Sequence, residues 1–380
     1  MNLKIYLKEF LPKTLNYKLA RKGVLKPAKP ITLTFSVTCA CNSLCKTCHI
    51  GKMYRENPNR IKNDLKIKEI EKIFKSMGHI YFFNISGGEP FLRNDFQEII
   101  ELACKYLKPG IIHSPTNAIV SKKILNDVKG SLKIIEKYNP KIQFTIKPSI
   151  DGVGKDHDEI RGVPGNFKML EETIRLLKPL QEKYPNFHLE LGTVVSNFNI
   201  KKLDEIEDYV HSVGIQSYRN EIAEQREEFF NLKDPITPTA EQYQKLMKRF
   251  KNKIRENVRG KKLYTKVTEA FRLVYYDLVS EILRQKTQVI PCYGGISNVH
   301  INYNGEVWPC CVLGYKKPLG NLRDYNYNFK KLWNSKKAAN VRKYIADKKC
   351  YCPLANQSYS NILLDFKSLL KVVKNILKMN

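Results

Sequence analysis

The sequence contains no run of about 18 or more apolar residues, so no segment is expected to cross a membrane. Its opening stretch, MNLKIYLKEFLPKTL, carries charges through its apolar positions and lacks a small-residue cleavage site, so it does not read as a secretory signal. No tract dominates the composition and no repeat recurs; with Gly at 19 and Pro at 18, low-complexity classes are excluded. Acidic residues are scarce, 37 against 66 basic, leaving a formal charge of +29. Such an excess suits a polyanionic partner, or simply a lysine-rich proteome; it bears on association and not on fold. Without a secretory signal, the ten cysteines point away from a disulfide framework. Metal or redox chemistry in a reducing, cytoplasmic setting is expected instead. At 380 residues and 42% hydrophobic, the chain can build a sizeable core, with about two domains by length.

From 31 to 222 strand-like and helix-like segments alternate. The strand-like ones are 31–38, 81–88, 110–117, 142–151, 188–196 and 215–222, with helical patterns at 67–77, 95–107, 121–137, 166–180 and 200–214 between them. Six such units predict an α/β fold, either an open doubly wound sheet or a partial barrel, with ligands at the C-terminal strand ends. Residues 223–290 form a charged helical connection broken at Asp234-Pro235-Ile236-Thr237-Pro238, 291–353 a cysteine-rich region, and 354–380 a last helix. Residues 1–30 form a basic amphipathic N-terminal segment.

The stretch Cys39-Ala40-Cys41-Asn42-Ser43-Leu44-Cys45-Lys46-Thr47-Cys48-His49 follows the first strand. Cys41, Cys45 and Cys48 form C-x3-C-x2-C, a spacing that suits three corners of a [4Fe–4S] cluster and leaves one iron free for a ligand. A zinc knuckle is the alternative; His49 is the remaining donor but stands directly beside Cys48, which makes shared chelation awkward.

This loop resembles the signature of radical S-adenosylmethionine (radical SAM) enzymes, down to Asn42 after the first cysteine. The resemblance implies a partial (β/α)6 TIM-like barrel with Cys39 outside the ligand set. Thr47 departs from the aromatic residue common before the third cysteine. Four further stretches follow in order. Ser86-Gly87-Gly88-Glu89-Pro90 ends the second strand; in the family Gly87, Gly88 and Glu89 would meet the amino group of SAM's methionine half. Asn117 ends the third strand and would lie near SAM. Ser149 and Asp151, on one side of the fourth strand's end, would suit the ribose hydroxyls. Arg161, in His157-Asp158-Glu159-Ile160-Arg161-Gly162, would meet the SAM carboxylate. Each stretch has an ordinary reading as turn or surface residues.

Cys292-x12-Gly305-x4-Cys310, then Leu319-Gly320-Asn321-Leu322, Leu332-Trp333-Asn334-Ser335 and Cys350-x-Cys352, resemble the SPASM and twitch extensions that carry auxiliary iron–sulfur clusters. No cysteine follows Cys352, so one auxiliary [4Fe–4S] cluster is expected, in a twitch-like domain, on Cys292, Cys310, Cys350 and Cys352. Cys311 could replace one of them, because C-x-C is a tight bite; a four-thiolate zinc site is the alternative. Cys104 is read as a core residue.

By resemblance, SAM would be cleaved reductively to a 5′-deoxyadenosyl radical that takes hydrogen from an unactivated C–H bond, fed by a one-electron donor such as ferredoxin or flavodoxin. In the last segment Ile362, Phe366, Leu369, Leu370, Val373, Ile376 and Leu377 share a helical face, and Lys367, Lys371, Lys374 and Lys378 another. Near the N-terminus Leu3, Leu7, Phe10 and Leu11 interleave with Lys4, Lys8, Lys13, Lys18, Arg21 and Lys22. Such helices suit an anionic membrane surface, or dock on the barrel with lysines outward. The expectation drawn from them is a lipid or lipid-linked substrate, with the chain peripheral at the inner membrane face. The rivals are a peptide-modifying enzyme and a small-molecule dehydrogenase or cyclase. About forty residues before the first cluster are few for a peptide-recognition domain. Nucleic acid is not an expected partner, for no aromatic–basic binding motif stands out. A non-catalytic metal-binding module is the reading from another class.

Overall fold

The computed structural model describes residues 10–215 and 217–379. Of the N-terminal amphipathic positions, Leu3, Lys4, Leu7 and Lys8 lie outside them. In chain order the elements are α1 (Leu11–Arg21), β1 (Thr32–Ser36), α2 (Ile50–Glu56), α3 (Ile67–Met77), β2 (Phe82–Ser86), α4 (Phe96–Leu102), β3 (Ile111–Thr116) and α5 (Ser121–Tyr138). Then come β4 (Gln143–Pro148), α6 (Lys155–Arg161), α7 (Asn166–Leu177), α8 (Leu180–Lys183), β5 (Phe187–Val195), α9 (Leu203–Ser212) and β6 (Ser217–Ile222). After these follow α10 (Ala240–Asn257), α11 (Leu263–Gln285), β7 (Asn298–Ile301), β8 (Glu306–Trp308), β9 (Gly320–Asn321), α12 (Phe329–Trp333), α13 (Lys336–Ala346), α14 (Ala355–Leu364) and α15 (Phe366–Leu377).

Strands β1 to β6 pair in sequence order and in parallel. Parallel neighbours require crossovers, and the amphipathic helices supply them. Helix α3 shows how. Glu69 reaches back to the Lys66 amide at 2.7 Å to start the helix, and Ile70, Ile73, Phe74 and Met77 are buried beneath it. Strands β3, β4 and β6 alternate buried with half-buried residues, one row packed under the helices and the other turned to the barrel interior. The expected partial (β/α)6 barrel is therefore present, and its strands all end at one rim.

The barrel interior is charged rather than filled by apolar layers. Arg219 donates to Glu190 at 2.6 Å, and Lys147 to Glu221 at 3.0 Å. Ser217 also donates to Glu190, at 2.6 Å. Burial opposes ionisation of Glu190, yet Arg219 and then Lys147 hold its carboxyl down at about 2. An added Cβ at Gly192 would stand 2.9 Å from the Lys147 side chain, so the glycine makes the room.

The cysteine-rich region joins this sheet. Strand β7 pairs in parallel with β1, and β8 and β9 continue antiparallel, giving nine strands in the order β6-β5-β4-β3-β2-β1-β7-β8-β9. Helices α10 and α11 pack together, and α14 and α15 pack on α11. No helix among the described residues is long and apolar enough to cross a membrane.

Candidate active site and auxiliary thiol centre

Beyond β1 the chain keeps pairing with its neighbour past the strand end. Val37 donates to the Ser86 carbonyl at 2.9 Å, Gly88 to the Thr38 carbonyl at 2.9 Å, and Glu89 to the Ala40 carbonyl at 2.7 Å. The two glycines permit this. A Cβ on Gly87, whose φ is +131°, would stand 2.6 Å from the Thr38 oxygen, and one on Gly88 2.1 Å from the Ala40 oxygen. Both were expected to make room for a ligand; the nearest thing they make room for is the cysteine loop. They line the neighbouring cavity as well.

The other side of the loop is clamped by the end of α6. Leu44 and Lys46 donate to the carbonyls of Arg161 and Ile160 at 3.0 and 2.8 Å. Gly162, at φ +64°, lies so close that a Cβ would be 2.2 Å from the Leu44 oxygen. Asn231 donates to the Thr47 carbonyl at 2.7 Å, and the His49 ring pairs with Asp234 at 2.5 Å. His49 is thereby engaged away from the thiols.

Cys41, Cys45 and Cys48 thus converge. Burial pushes the Cys41 thiol up to about 12, with Cys45 adding to the rise and the Ser43 amide and Arg161 opposing it. Burial likewise raises Cys45 and Cys48, and for Cys48 both other thiols contribute. Three buried sulfurs that repel one another as thiolates fit a cationic iron core, which takes up their charge. Cys39 stands apart: its amide donates to Asp64 at 3.3 Å, and burial followed by Asp64 pushes its thiol up to about 12.

The other expected SAM contacts surround the loop, several with their polar atoms engaged. Buried Glu89 accepts from the Asn117 amide at 2.7 Å, the Thr116 hydroxyl at 2.9 Å and the Phe91 amide at 3.2 Å. Asn117 donates to Asn42 at 2.7 Å and Ser43 at 2.9 Å. Asp151 accepts from the Val194 amide at 2.9 Å and from Arg161 Nη1 at 3.1 Å. Ser149 is half-buried beside them, its amide on the Thr116 carbonyl. Arg161 Nε is buried and has no hydrogen-bond partner in the protein, and its guanidinium lies within electrostatic reach of Cys45 and Cys41. An unmet cationic donor at that place fits the carboxylate of a bound amino acid.

At the rim, a cavity is lined by Gly87, Gly88, Arg60, Glu228, Tyr303 and Tyr315, among others. Its walls come from both the barrel and the cysteine-rich region. Arg60 donates to the Tyr303 hydroxyl at 2.9 Å. Glu228 is buried, and burial holds its carboxyl above the usual range against Arg226 and Cys311. A Glu228 oxygen, a His300 nitrogen and the Cys311 sulfur lie within 4.8 Å of one another. His300 Nδ1 is 3.1 Å from Cys311 and Nε2 is 2.8 Å from Ser36. Sequence reading missed Glu228, His300 and Arg60, which no motif spacing connects.

A second cavity collects Cys292, Cys310, Cys350 and Cys352 among Leu278, Ile282 and other apolar side chains. Burial, then Cys292 and its neighbours, pushes Cys310 up to about 12, and burial with Cys292 pushes Cys350 up to about 11. The Gly294 amide donates to the Cys292 sulfur at 3.4 Å. Four thiols and no carboxylate or imidazole in one apolar pocket fit an all-cysteine cluster. Cys311 is not among its walls. Cys104 is buried in the π-helical turn Ala103–Leu107.

Two family models match the chain. The Radical SAM superfamily matches residues 35–210, and the SPASM iron–sulfur cluster-binding domain matches 292–353. The chain is 25% identical over 315 residues to the antilisterial bacteriocin subtilosin biosynthesis protein AlbA of Bacillus subtilis (strain 168), covering 80% of this chain and 60% of that protein. It is 25% identical over 317 residues to an AdoMet-dependent heme synthase of Oleidesulfovibrio alaskensis, covering 79% and 74% respectively. Among solved structures, Streptococcus suis SuiB bound to the precursor peptide SuiA superposes with a TM-score of 0.59 at 17% identity, over 86% of this chain and 69% of that one. The chain thus carries a Radical SAM superfamily domain over residues 35–210 and a SPASM iron–sulfur cluster-binding domain over 292–353.

Proposed function

We propose that the chain is a peptide-modifying radical SAM enzyme whose substrate enters the rim cavity. Cys41, Cys45 and Cys48 would hold the SAM-binding [4Fe–4S] cluster, and Cys292, Cys310, Cys350 and Cys352 the auxiliary one. When bound, these groups and SAM supply one-electron cleavage of SAM and hydrogen-atom abstraction from an unactivated C–H bond. The division into 31–222 for the barrel, 223–290 for the connection and 291–353 for the auxiliary domain belongs to the same proposal.

The protein's own residues position and shield. Arg161 would take the SAM carboxylate through its free Nε, with Asp151 fixing the guanidinium. Asn117 and Glu89 hold the cysteine loop against the third strand's end, and Gly87 and Gly88 keep that wall thin. Glu228 lines the cavity with its buried carboxyl, its pKa raised by that burial, and lies within 4.8 Å of His300 and Cys311, which places a polar group where a substrate would enter. Arg60, Tyr303 and Tyr315 offer a cationic and hydroxyl-bearing wall for a polar substrate.

The observation that carries this reading is the cavity shared by both domains and walled by Gly87 and Gly88. Relatives named for subtilosin biosynthesis and for maturation of the sporulation killing factor and of mycofactocin support a peptide. The lipid or lipid-linked substrate expected from the amphipathic ends has no such support; those ends bear on where the chain sits. A heme-type small molecule is the second reading, favoured by the heme synthase relative.

The test is 5′-deoxyadenosine formation by anaerobically reconstituted enzyme, alone and with peptide, tetrapyrrole or polar-lipid fractions. Stimulation by the peptide fraction, absent in the Cys41→Ala/Cys45→Ala/Cys48→Ala variant, is expected. Stimulation by tetrapyrroles or lipids alone would replace the substrate class, and a wild type that never cleaves SAM would remove the reaction.

A further inference from the structure

The apolar face read from the final segment does not form one buried stripe. Leu364 ends α14, and Asp365 caps a new helix by accepting from the Ser368 amide at 2.9 Å. Helix α15 then packs on α11, with Ser368 and Val372 buried and Leu369 and Ile376 half-buried. Phe366, Leu370, Val373 and Leu377 turn outward, 68%, 54%, 52% and 68% exposed. Their spacing of four, three and four places them on one line about 16 Å long. Lys367, Lys371, Lys374 and Lys378 are exposed along one flank of that line, and no acid lies between Phe366 and Leu377.

Helix α1 belongs to the same surface system. Its Tyr17 and Ala20, with Phe10, share a small core with Leu364, while Leu11 and Leu15 are 48% and 66% exposed. Large apolar side chains on a water-facing helix mark a contact surface.

We infer that α15 lies on an anionic membrane surface, Phe366, Leu370, Val373 and Leu377 entering the lipid boundary and the lysine row meeting the headgroups. The occupant follows from charge. A second copy of the chain would cover the apolar line but leave the lysine row without counter-charge. An anionic bilayer satisfies both at once, and the net charge of +29 acts in the same direction. This inference deepens the peripheral placement and is independent of substrate class.

The test is co-sedimentation of the reconstituted full chain with vesicles of phosphatidylcholine alone or mixed with phosphatidylglycerol, at low and high salt. Binding to the mixed vesicles only, weakened by salt, is expected. Phe366→Ser/Leu370→Ser/Leu377→Ser should lose binding about tenfold or more. Each Lys→Gln change at 371 or 374 should lower it about fivefold. Iron content and substrate-free SAM cleavage should be unchanged in these variants, which separates a failed surface from a failed enzyme. A wild type that stays in solution with both vesicles overturns the inference. So does a triple serine variant that binds like the wild type, or a dimer in solution that these serines convert to monomer without any vesicle binding.

Discussion

Arg161 donates to Asp151 through Nη1 at 3.1 Å while its Nε stays buried without a protein partner. The pair fixes a cation beside the cysteine loop and leaves one donor to be met. Arg161→Gln should weaken SAM binding about 10–100-fold, the range for losing a hydrogen bond to a charged group. Equilibrium binding of SAM to the reconstituted variant measures this, and its iron content should match the wild type. Asp151→Asn should weaken binding less, since the arginine remains. Unchanged affinity in Arg161→Gln would place the SAM carboxylate elsewhere.

The two thiol sets make separate predictions for iron. The wild type should hold about eight irons. Cys352→Ser should fall towards about four, whereas Cys311→Ser should keep all of them, because Cys311 faces His300 and Glu228. Anaerobic iron and sulfide counts decide it. Loss of iron in Cys311→Ser would bring that residue into the auxiliary set.

Glycine positions differ in what they protect. Gly88→Ala forces a methyl to within 2.1 Å of the Ala40 oxygen, so the cysteine loop must move. A cost of about 1–3 kcal/mol and loss of the SAM-binding cluster's iron are expected. Gly154→Ala, at φ +57° and ψ −125° with open space around it, should cost about 1–3 kcal/mol of backbone strain and leave iron unchanged.

Acid should loosen the seam between α3 and the β9 region. Burial works against ionisation of Glu69, but Arg323, the Lys66 amide and Tyr327 hold its carboxyl down from 4.5 to about 2. A lowered folded-state pKa gives stability that is present above 4.5 and lost as pH falls toward 2. Glu69→Gln should therefore lower the urea midpoint at neutral pH, the gap to wild type closing across that window. A gap that persists at the acid end would assign the effect to packing.

The barrel was legible because its signals are local. β-Branched and aromatic runs gave all six strands to within a few residues, and periodic apolar spacing gave the crossover helices. The cysteine spacing was equally local. What stayed hidden depends on distant partners. Lys147, Glu190, Arg219 and Glu221 sit on three strands, and nothing in any one strand says that their charges meet inside the barrel. Glu228, His300 and Ser36 come together only because β7 pairs with β1. The final segment was read as one helix, but the Asp365 cap divides it and leaves Ile362 on α14. Within α15 the apolar arc is wider than its packed side, so Leu369 and Ile376 are half-buried while Phe366 and Leu377 are exposed.

The pairing of β7 with β1 has a consequence for how the chain can be divided. Thr32, Leu33, Thr34 and Phe35 are matched to Asn298, Val299, His300 and Ile301. A fragment ending before β7 would leave this row of backbone donors and acceptors bare on the first strand, an open template for another chain. The barrel is therefore not a separable catalytic module to which a cluster carrier has been appended. Proteolytic clipping within the linker ahead of β7 should leave the pieces associated, and expression of residues 31–222 alone should yield aggregate.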